Sequence, residues 1–341
     1  MNDNKTSKNS IVAKFAVPIS FLILFFLAAN FTDCDLVTFW KRRNHLTDLV
    51  VDIIPPDFSY IQKILLPLFY TIQMSVTGTV LGTFFALVLS PFGAANLGFP
   101  AVIRRILRIV IQILRSFPAL ILALTATFLF GLGTFAGTFA ITLYTFAIMT
   151  KLTYEDASAA DVKAYQALRA MGVSKYVAYI HGILPEIIPG FLSNALYLLE
   201  TNVRHSSILG YVGAGGIGLL LNEKISWLEY DKVGTILLML FLTVCVIEYF
   251  SRYLAALIRK ERTIKKEQAR LLLLFLAALF LICTFTLSLP DFSRTSPQTL
   301  RNMFAGFLQP DWSFFFSAEK DGLGYLLLET VCIAFIGTVI G

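Results

Sequence analysis

The most conspicuous candidate binding motif in the chain is a cluster of glycines, GYVGAGGIGLL, at residues 210–220. Gly213, Gly215 and Gly218 match the G-x-G-x-x-G pattern that holds a dinucleotide pyrophosphate in soluble proteins. That chemistry requires a strand before the glycines, a helix after them and an acidic residue about 20 positions further on. Apolar stretches long enough to cross a membrane flank the motif instead, so the sequence argues against a nucleotide site.

Two interpretations of the glycine cluster remain open. The first is structural, because glycines let the backbone turn back at a membrane surface and let neighbouring helices pack closely. The second adds a function, because clustered backbone N–H groups in such a turn form a nest that favours anions. On the second interpretation, Gly213, Gly215, Gly216 and Gly218 belong to a substrate pathway.

Arg204 is the sharpest candidate for contact with a substrate. It follows an apolar helix and precedes the glycine cluster. A guanidinium matches the oxygens of an oxyanion bidentately. Alternatively, Arg204 snorkels to the membrane surface or pairs with Glu200, four residues earlier on the same helix face. The sequence is compatible with both roles.

Two other groups of ionisable residues lie in or beside apolar runs. Arg115 is near the inner end of its helix, where contact with lipid headgroups is favoured over contact with substrate. Glu248 and Arg252 are four residues apart, and we expect them to neutralise each other.

The remaining reactive side chains form no recognisable catalytic or metal-binding set. The histidines and cysteines are scattered, without metal-ligand spacing: His45, His181, His205, Cys34, Cys245, Cys283 and Cys332. H-E-x-x-H, G-x-S-x-G and the Gly-Lys of a P-loop are absent from the sequence. We therefore predict no metal, no cofactor bound by this chain, and no hydrolysis of nucleotide by this chain alone.

The composition indicates an integral membrane protein. Of 341 residues, 57% are hydrophobic and 15% charged, with a mean hydropathy of +0.73. Apolar stretches of about 18 or more residues predict an all-α protein with about eight membrane helices. They lie at about 12–30, 61–90, 109–130, 136–151, 183–201, 233–257 and 271–289, and from about 324 onward. The net charge of +6 is explained by basic residues that flank membrane helices, not by a nucleic-acid partner.

The distribution of lysine and arginine predicts a cytoplasmic N-terminus. Basic residues concentrate in segments that would share the cytoplasmic side: Lys5, Lys8, Lys14; Arg104, Arg105, Arg108; Lys163, Arg169, Lys175; and Arg259, Lys260, Arg262, Lys265, Lys266, Arg270. The intervening segments 31–60 and 290–323 are richer in acidic than in basic residues. The first apolar run shows no small-residue cleavage site, so we interpret it as a retained anchor.

The end of the chain repeats its beginning. LTDLVVDIIPPDFSY (46–60) aligns with LRNMFAGFLQPDWSF (300–314), and TIQMSVTGTVLG (71–82) aligns with TVCIAFIGTVIG (330–341). The two matches keep the same order, which predicts that a second copy of the membrane unit begins near residue 271. We expect the rest of that copy to come from a longer parent sequence, and two paired copies of this chain are the alternative.

The segment YQALRAMGVSKYVAYIHGILPE, residues 165–186, is amphipathic and too polar to cross a membrane. Its spacing resembles the E-A-A-x-x-x-G-x9-I-x-L-P loop of ABC importer permeases. The matching positions are Gln166, Ala167, Leu168, Gly172, Leu184 and Pro185. Gln166 stands where the family has glutamate, and Gly182 where it has isoleucine. An interfacial helix that binds lipid headgroups is the alternative interpretation.

Five further segments strengthen this resemblance. They are LRSFPALILAL (114–124), GLGTFAG (131–137), KLTYE (151–155), ETNVRHSSILGYVGAGGIG (200–218) and IEYFSRYLAALIR (247–259). Together with the 165–186 loop they resemble the phosphonate-type permeases, which import phosphonates, phosphite and related oxyanions. The resemblance covers residues 60–260 and implies a type I ABC importer transmembrane domain, a MetI-like helical bundle. It also adds Asn202, within the NVR tripeptide, to the expected substrate pathway.

The resemblance implies three regions: an anchor helix and outer loop at 1–59, the permease domain at 60–260, and a basic linker with two helices of an incomplete second unit at 261–341. It implies a multi-pass protein of the cell inner membrane in contact with lipid. The expected partners are a pair of ABC ATPase subunits that use ATP, a periplasmic or lipid-anchored binding protein, and a second permease unit. An importer of another small solute, such as an amino acid, and a non-transporting scaffold remain alternatives.

Overall fold

The computed structural model describes residues 18, 20–32, 40–259, 266–288, 301–302, 305–306, 309, 312–317 and 322–340. The regular structure of these residues is helical, as predicted. The helices are α1 (Ser20–Phe31), α2 (Arg43–Ile53), α3 (Ile61–Gly93), α4 (Ala101–Ser116), α5 (Ala119–Phe130), α6 (Thr134–Ala159), α7 (Lys163–Ala170), α8 (Lys175–Gly182), α9 (Leu184–Leu209), α10 (Ile217–Ser226), α11 (Tyr230–Ile258), α12 (Lys266–Phe285), α13 (Trp312–Phe315) and α14 (Leu323–Ile340).

The chain forms two compact units. Residues 52–300 make the larger unit, and residues 1–51 with 301–341 make the smaller one. The following lie outside the described residues: Lys5, Lys8, Lys14, Cys34, the basic segment 260–265 and seven of the fifteen residues of the repeat segment 300–314.

The centre of the larger unit is a close crossing of α3 and α6, which glycines on α3 permit. A Cβ atom at Gly78 would lie 2.7 Å from the Ile141 side chain, and one at Gly82 would lie 2.7 Å from the Thr142 carbonyl oxygen. Gly78 and Gly82 form a G-x-x-x-G pair, the spacing that brings membrane helices into contact. Any larger side chain at either position would push the two helices apart.

Hydrogen bonds between side chains join α3, α6 and α9 inside this centre. The Asn202 amide donates to Thr79 Oγ1 and to Thr145 Oγ1, both at 2.8 Å. Ser75 and Ser206 hydroxyls lie 2.7 Å apart. All of these groups are buried, and such bonds stabilise membrane helix pairs by about 0.6 kcal/mol each.

Three described helices are long and apolar enough to cross a membrane, or up to five if each bent pair forms one span. The number of about eight therefore stays a prediction. The expected continuous helix at 109–130 is wrong, because it consists of α4 and α5, bent by 94°. Pro118 causes this break, since the residue before a proline avoids helical dihedrals, and Phe117 is extended at φ −82°, ψ 125°.

Each of the two units contains a pair of apolar helices that pack on each other. In the larger unit, α12 packs on α3, where Gln73 Nε2 donates to Cys283 O at 3.0 Å and to Thr286 Oγ1 at 2.8 Å. In the smaller unit, α1 packs on α14, with the rings of Phe21 and Phe335 5.1 Å apart.

Candidate functional site

The loop at 160–186 folds into two short helices separated by a tight turn. Met171 and Gly172 end α7 in a Schellman motif: the Gly172 N–H donates to Arg169 O at 3.0 Å and the Val173 N–H to Leu168 O at 3.2 Å. Gly172 has φ +84°, a left-handed conformation that favours glycine, and no atom lies within 4 Å of a Cβ built there. The Ser174 side chain then accepts from the Val177 N–H and caps α8.

A compact apolar core holds this helix pair rigidly against the end of α3. The Tyr165 hydroxyl donates to Leu97 O at 2.6 Å, and Tyr165 is buried together with Ala178 and Tyr179. Gly182, which replaces the isoleucine of the family pattern, lets α8 approach the backbone of α7, because a Cβ there would lie 2.8 Å from the Tyr165 nitrogen. Burial raises the pKa of Tyr165, so its hydroxyl keeps the proton that it donates.

The predicted coupling residues divide between the exposed surface and the core. Gln166, Ala167 and Gly172 lie on the exposed side of the helix pair, where Met171 is 70% exposed. Leu168 and Leu184 pack against the core. Pro185 is exposed in the first turn of α9, where a proline needs no N–H partner. Sequence reasoning missed Met171 and Tyr165, although both lie inside the matched spacing.

The glycine cluster forms a sharp turn between α9 and α10. Gly213, Gly215 and Gly216 all have left-handed φ values, between +74° and +81°. Gly218 lies so close to α9 that a Cβ there would overlap the Ser207 carbonyl group. The structural interpretation of the cluster, a backbone turn with close helix packing, therefore holds for Gly213, Gly215, Gly216 and Gly218.

Neighbouring helices fix this turn in place. The Gly133 N–H donates to Gly213 O at 3.0 Å. The Ile217 N–H, at the start of α10, donates to Thr71 Oγ1 at 2.8 Å, so a side chain of α3 caps α10. Thr71 in turn donates to Pro67 O at 3.0 Å.

A cavity of about 400 Å³ opens beside the turn. Polar atoms from several elements line it: Tyr70, Thr134, Glu223, Thr286, Ser288 and the backbone of Gly215 and Gly216. Within the described residues, no hydrogen bond uses the N–H of Gly215 or Gly216, and both glycines are buried at the wall of the cavity. The Glu223 carboxylate opposes a strongly anionic occupant.

Arg204 and Asn202 lie apart from that cavity and differ in exposure. The Arg204 side chain is 52% exposed and forms an ion pair with Glu200, whose own side chain is 13% exposed. Asn202 is fully buried, and its side-chain amide donates hydrogen bonds to Thr79 and Thr145. Of the predicted pathway residues, Gly215 and Gly216 line the cavity together, whereas Asn202 and Arg204 do not line it.

The Arg204–Glu200 pair and the expected Arg252–Glu248 pair both form in the structure. Both are i, i+4 pairs on single helices. Pairing with Glu200 leaves part of the Arg204 guanidinium exposed, so the pair is compatible with a substrate contact as well.

A charged cluster between α10 and α11 was not foreseen from the sequence. Lys224, only 7% exposed in its side chain, pairs with Glu223 at 3.0 Å and with Glu229 at 2.9 Å, and its ammonium lies 4.1 Å from the centre of the Trp227 ring. Burial opposes the charge of Lys224, but hydrogen bonds to Glu229 and Glu223 outweigh it and raise the pKa of Lys224. Hydrogen bonds from Lys232 and Lys224 lower the pKa of Glu229.

Comparison with known proteins assigns this bundle to a family. The model of the inner membrane component of binding-protein-dependent transport systems matches residues 78–263. The phosphite transport system permease protein PtxC of Stutzerimonas stutzeri is 31% identical over 217 residues, covering 64% of this chain and 79% of that protein. The phosphate-import permease protein PhnE of Mycolicibacterium smegmatis is 32% identical over 184 residues, covering 54% of this chain and only 35% of that longer protein.

A solved structure shares the fold. A chain of the MetNI methionine ABC transporter in an inward-facing conformation superposes with a TM-score of 0.52 at 20% identity, covering 59% of this chain and 99% of the matched chain. At that identity the likeness concerns the fold alone, and it confirms the predicted MetI-like bundle.

The helical bundle with its paired loop helices is therefore the transmembrane domain of an ABC importer. The chain belongs to the family of inner membrane components of binding-protein-dependent transport systems, and it is a permease subunit. The expected resemblance to phosphonate-type permeases is confirmed. In this family an ATPase subunit hydrolyses ATP, and a substrate-binding protein and a second permease complete the transporter.

Proposed function

We propose that the chain is the permease of an importer for phosphorus oxyanions, which it receives from a binding protein and releases into the cytoplasm. The observation that carries this proposal is the 31% identity to a phosphite permease over 64% of this chain. A second relative is named for the import of phosphate, which is also a phosphorus oxyanion. Amino acid import is the alternative, and the methionine transporter supports it only through the shared fold.

An uptake competition experiment tests the substrate class. Cells that express the chain with its ATPase and binding protein, and lack their own phosphorus importers, take up radiolabelled phosphite. We expect unlabelled phosphite, methylphosphonate or phosphate to reduce this uptake, and methionine to leave it unchanged. Absence of phosphite uptake in these cells, together with uptake of radiolabelled methionine, would reject the proposal in favour of an amino acid importer.

The exposed surface of α7 and α8 is the proposed contact for the ATPase pair. Gln166, Ala167, Met171 and Gly172 form a projection on a rigid base, because Tyr165 and Tyr179 anchor the other side in the core. A rigid projection transmits movement of a bound subunit to α9, which begins two residues after α8 ends. In this proposal Leu168, Leu184 and Pro185 do not contact the ATPase but keep the exposed projection in position.

The exposed face of α9 is the proposed lining of the substrate pathway. Tyr197, Arg204 and Ile208 are exposed at helical spacing along it, and the exposed Tyr211 follows in the turn after α9. A charged residue within a membrane bundle normally faces a water-filled cavity or the bundle interior, not lipid. We assign Arg204 to oxyanion contact and Glu200 to moderating its affinity, because transport requires release as well as binding.

The glycine turn is the proposed outer end of the pathway. Gly215 and Gly216 line the adjacent cavity, the Gly213 N–H donates to Gly210 O within the turn, and Gly218 fixes the turn to α9. Asn202 holds α3, α6 and α9 together behind the pathway and has no direct contact with solute in this proposal.

Two permease units facing each other complete the pathway, and we propose that this chain contains parts of both. The sequence repeat makes α12 and α14 the counterparts of α1 and α3. The structure pairs α12 with α3 and α1 with α14, so in this proposal the first helix of each copy packs on the second helix of the other copy. The greater length of the mycobacterial relative supports a fused pair over a homodimer.

The surface of α14 also supports a second unit. Gly337 corresponds in the repeat to Gly78, which packs against α6. A Cβ at Gly337 would meet no atom within 4 Å. We propose that the counterpart of α6 in the second unit fills this position.

The proposed orientation has the N-terminus and the α7–α8 pair in the cytoplasm. The basic residues of the described inner segments, Arg104, Arg105, Arg108, Lys163, Arg169 and Lys175, support it. The segments from α3 to α4 and from α6 to α9 lie at the same end of the larger unit, since Tyr165 donates to Leu97 O.

A further inference from the structure

Helix α4 has two sharply separated faces. Its large exposed side chains are aliphatic and follow one side: Val102, Ile103, Ile106, Val110 and Ile113. Its basic side chains are Arg104, Arg105, Arg108 and Arg115. At 3.6 residues per turn, these four arginines fall within an arc of about 100° on the opposite side.

These arginines have no carboxylate to neutralise them. No acidic residue occurs in the sequence between Asp57 and Glu155. Among the described residues, every ion pair involves other side chains. Arg108 donates to Gly93 O at 3.0 Å and Arg104 to Ala95 O at 3.5 Å, which position the side chains but leave their charge uncompensated.

The angle between α4 and α5 and the two faces of α4 favour a position of α4 at the membrane surface. Helix α4 meets the apolar helix α5 at 94°, so α4 lies across the membrane normal if α5 follows it. It also lies at the end of the bundle that carries α7 and α8, because the Arg108 guanidinium is 4.9 Å from the centre of the Tyr154 ring, at the end of α6 next to that loop. A helix with one basic and one aliphatic face in this position lies in the headgroup region.

A groove of about 210 Å³ runs between the basic side chains, lined by Ala101, Arg104, Arg105, Arg108, Ile109 and Gln112. We propose that this groove binds the phosphodiester headgroup of an anionic phospholipid, while the aliphatic face of α4 contacts the acyl chains. Guanidinium groups match phosphate oxygens bidentately, and the anionic leaflet supplies the missing counter-charge. The site does not depend on which solute the importer carries.

The lipid site adjoins the base of the α7–α8 pair. The segment 94–100, which leads from α3 into α4, contacts both helices: Leu97 O accepts from Tyr165, and Gly98 O accepts from the Lys175 ammonium. A lipid held by α4 therefore fixes the segment on which the proposed ATPase contact rests.

Native mass spectrometry of the full chain in detergent tests the site. Phosphatidylglycerol and phosphatidylcholine are titrated separately, and we expect tighter binding of phosphatidylglycerol. Arg105→Gln is the principal variant, because Arg105 is exposed and makes no hydrogen bond among the described residues. It should weaken phosphatidylglycerol binding about fivefold, the effect of removing one charge near a lipid surface, and leave phosphatidylcholine binding unchanged.

Arg252→Gln is the matched control, because it removes one exposed arginine from α11 that already pairs with Glu248. It should leave the preference for phosphatidylglycerol intact. Equal binding of the two lipids would overturn the proposal, and it is the result expected if a second copy of the chain covers α4. An undiminished preference for phosphatidylglycerol in Arg105→Gln would also overturn it. Displacement of phosphatidylglycerol by millimolar inorganic phosphate would also overturn it, since the groove would then be a site for a free anion.

Discussion

At the residue scale, the two arginine–glutamate pairs show how similar local geometry can serve different roles. Arg204 with Glu200 and Arg252 with Glu248 have the same spacing and both form ion pairs. Exposed pairs of this kind contribute little to stability, typically below about 1 kcal/mol. What distinguishes Arg204 is its surroundings, a partly aromatic face next to the glycine turn, and not its pairing.

Substitution of Arg204 separates substrate contact from a structural role. Arg204→Lys keeps the charge but loses the planar fork, so we expect oxyanion uptake to fall severalfold, and Arg204→Ala to lower it further. Uptake is measured at matched membrane levels. Arg252→Ala is the control and should transport at the wild-type rate. Undiminished uptake in both Arg204 variants would leave only a surface role for Arg204.

Asn202 is predicted to act on stability and not on solute contact. Asn202→Leu removes the two hydrogen bonds to Thr79 and Thr145, at about 0.6 kcal/mol each, and leaves two hydroxyls buried. We expect a lower thermal unfolding midpoint in detergent and an unchanged KM for transport by the protein that remains folded. A raised KM with an unchanged midpoint would instead place Asn202 in the pathway.

The Lys224 cluster predicts that the connection between α10 and α11 is sensitive to acid. The pKa of Glu229 is lowered in the folded protein, so its contribution to stability is present above its usual value of 4.5 and is lost as the pH falls below that value. The unfolding midpoint of the wild type should therefore fall below about pH 4.5 more steeply than that of Glu229→Gln. Parallel pH profiles for the two proteins would show that Glu229 has no such role.

At the element scale, the sequence predicted helices well and helix breaks poorly. The spans expected at 61–90, 136–151 and 233–257 correspond to α3, α6 and α11, because long apolar runs determine helices strongly. The break at Pro118 lay inside a run that hydropathy treats as uniform. Hydropathy averages over a window, whereas the break depends on the dihedral preference of a single residue before proline.

The sequence likewise predicted the local elements of the candidate site better than the contacts between them. The spacing around Gly172 resembled the loop of ABC importer permeases, and the structure shows there two short helices separated by a Schellman motif. The burial of Asn202 was not predictable, because the hydroxyls of Thr79 and Thr145 come from distant parts of the chain. The cluster around Lys224 was missed although Trp227 and Glu229 are close to it in the sequence, and only Tyr60 comes from a distant segment.

The exposed turn at Gly172 predicts an uncoupling variant. Gly172→Trp places a bulky side chain on the proposed ATPase contact, and we expect loss of transport and of substrate-stimulated ATP hydrolysis in a folded protein. Gly131→Trp is a matched control, because Gly131 also has a left-handed φ of +82° and open space around it. Normal coupling in Gly172→Trp would contradict the assignment of the α7–α8 surface.

At the scale of the whole molecule, the packing of α1 on α14, which carries the proposed pairing of two copies, predicts a specific cross-link. In a background without native cysteines, Phe21→Cys and Phe335→Cys replace rings whose centres lie 5.1 Å apart. We expect a bond within one chain on mild oxidation. Leu22→Cys with Phe335→Cys is the control and should react less, because Leu22 is 60% exposed. Failure of the Phe21 pair to cross-link would contradict the packing of α1 on α14.

The proposed roles of Arg204, the glycine turn and the α7–α8 pair all require the chain to be the permease of an ATP-driven oxyanion importer. The most direct measurement is uptake of radiolabelled phosphite by proteoliposomes that contain the chain with its ATPase, its binding protein and, if separate, the second permease unit. ATP is supplied on the side of the ATPase, and empty liposomes and ATP-free samples are the controls. We expect the phosphite concentration inside the proteoliposomes to exceed the external concentration only when ATP and the binding protein are both present. Assembly of the complete complex without any ATP-dependent accumulation of phosphite, methylphosphonate or phosphate would contradict it.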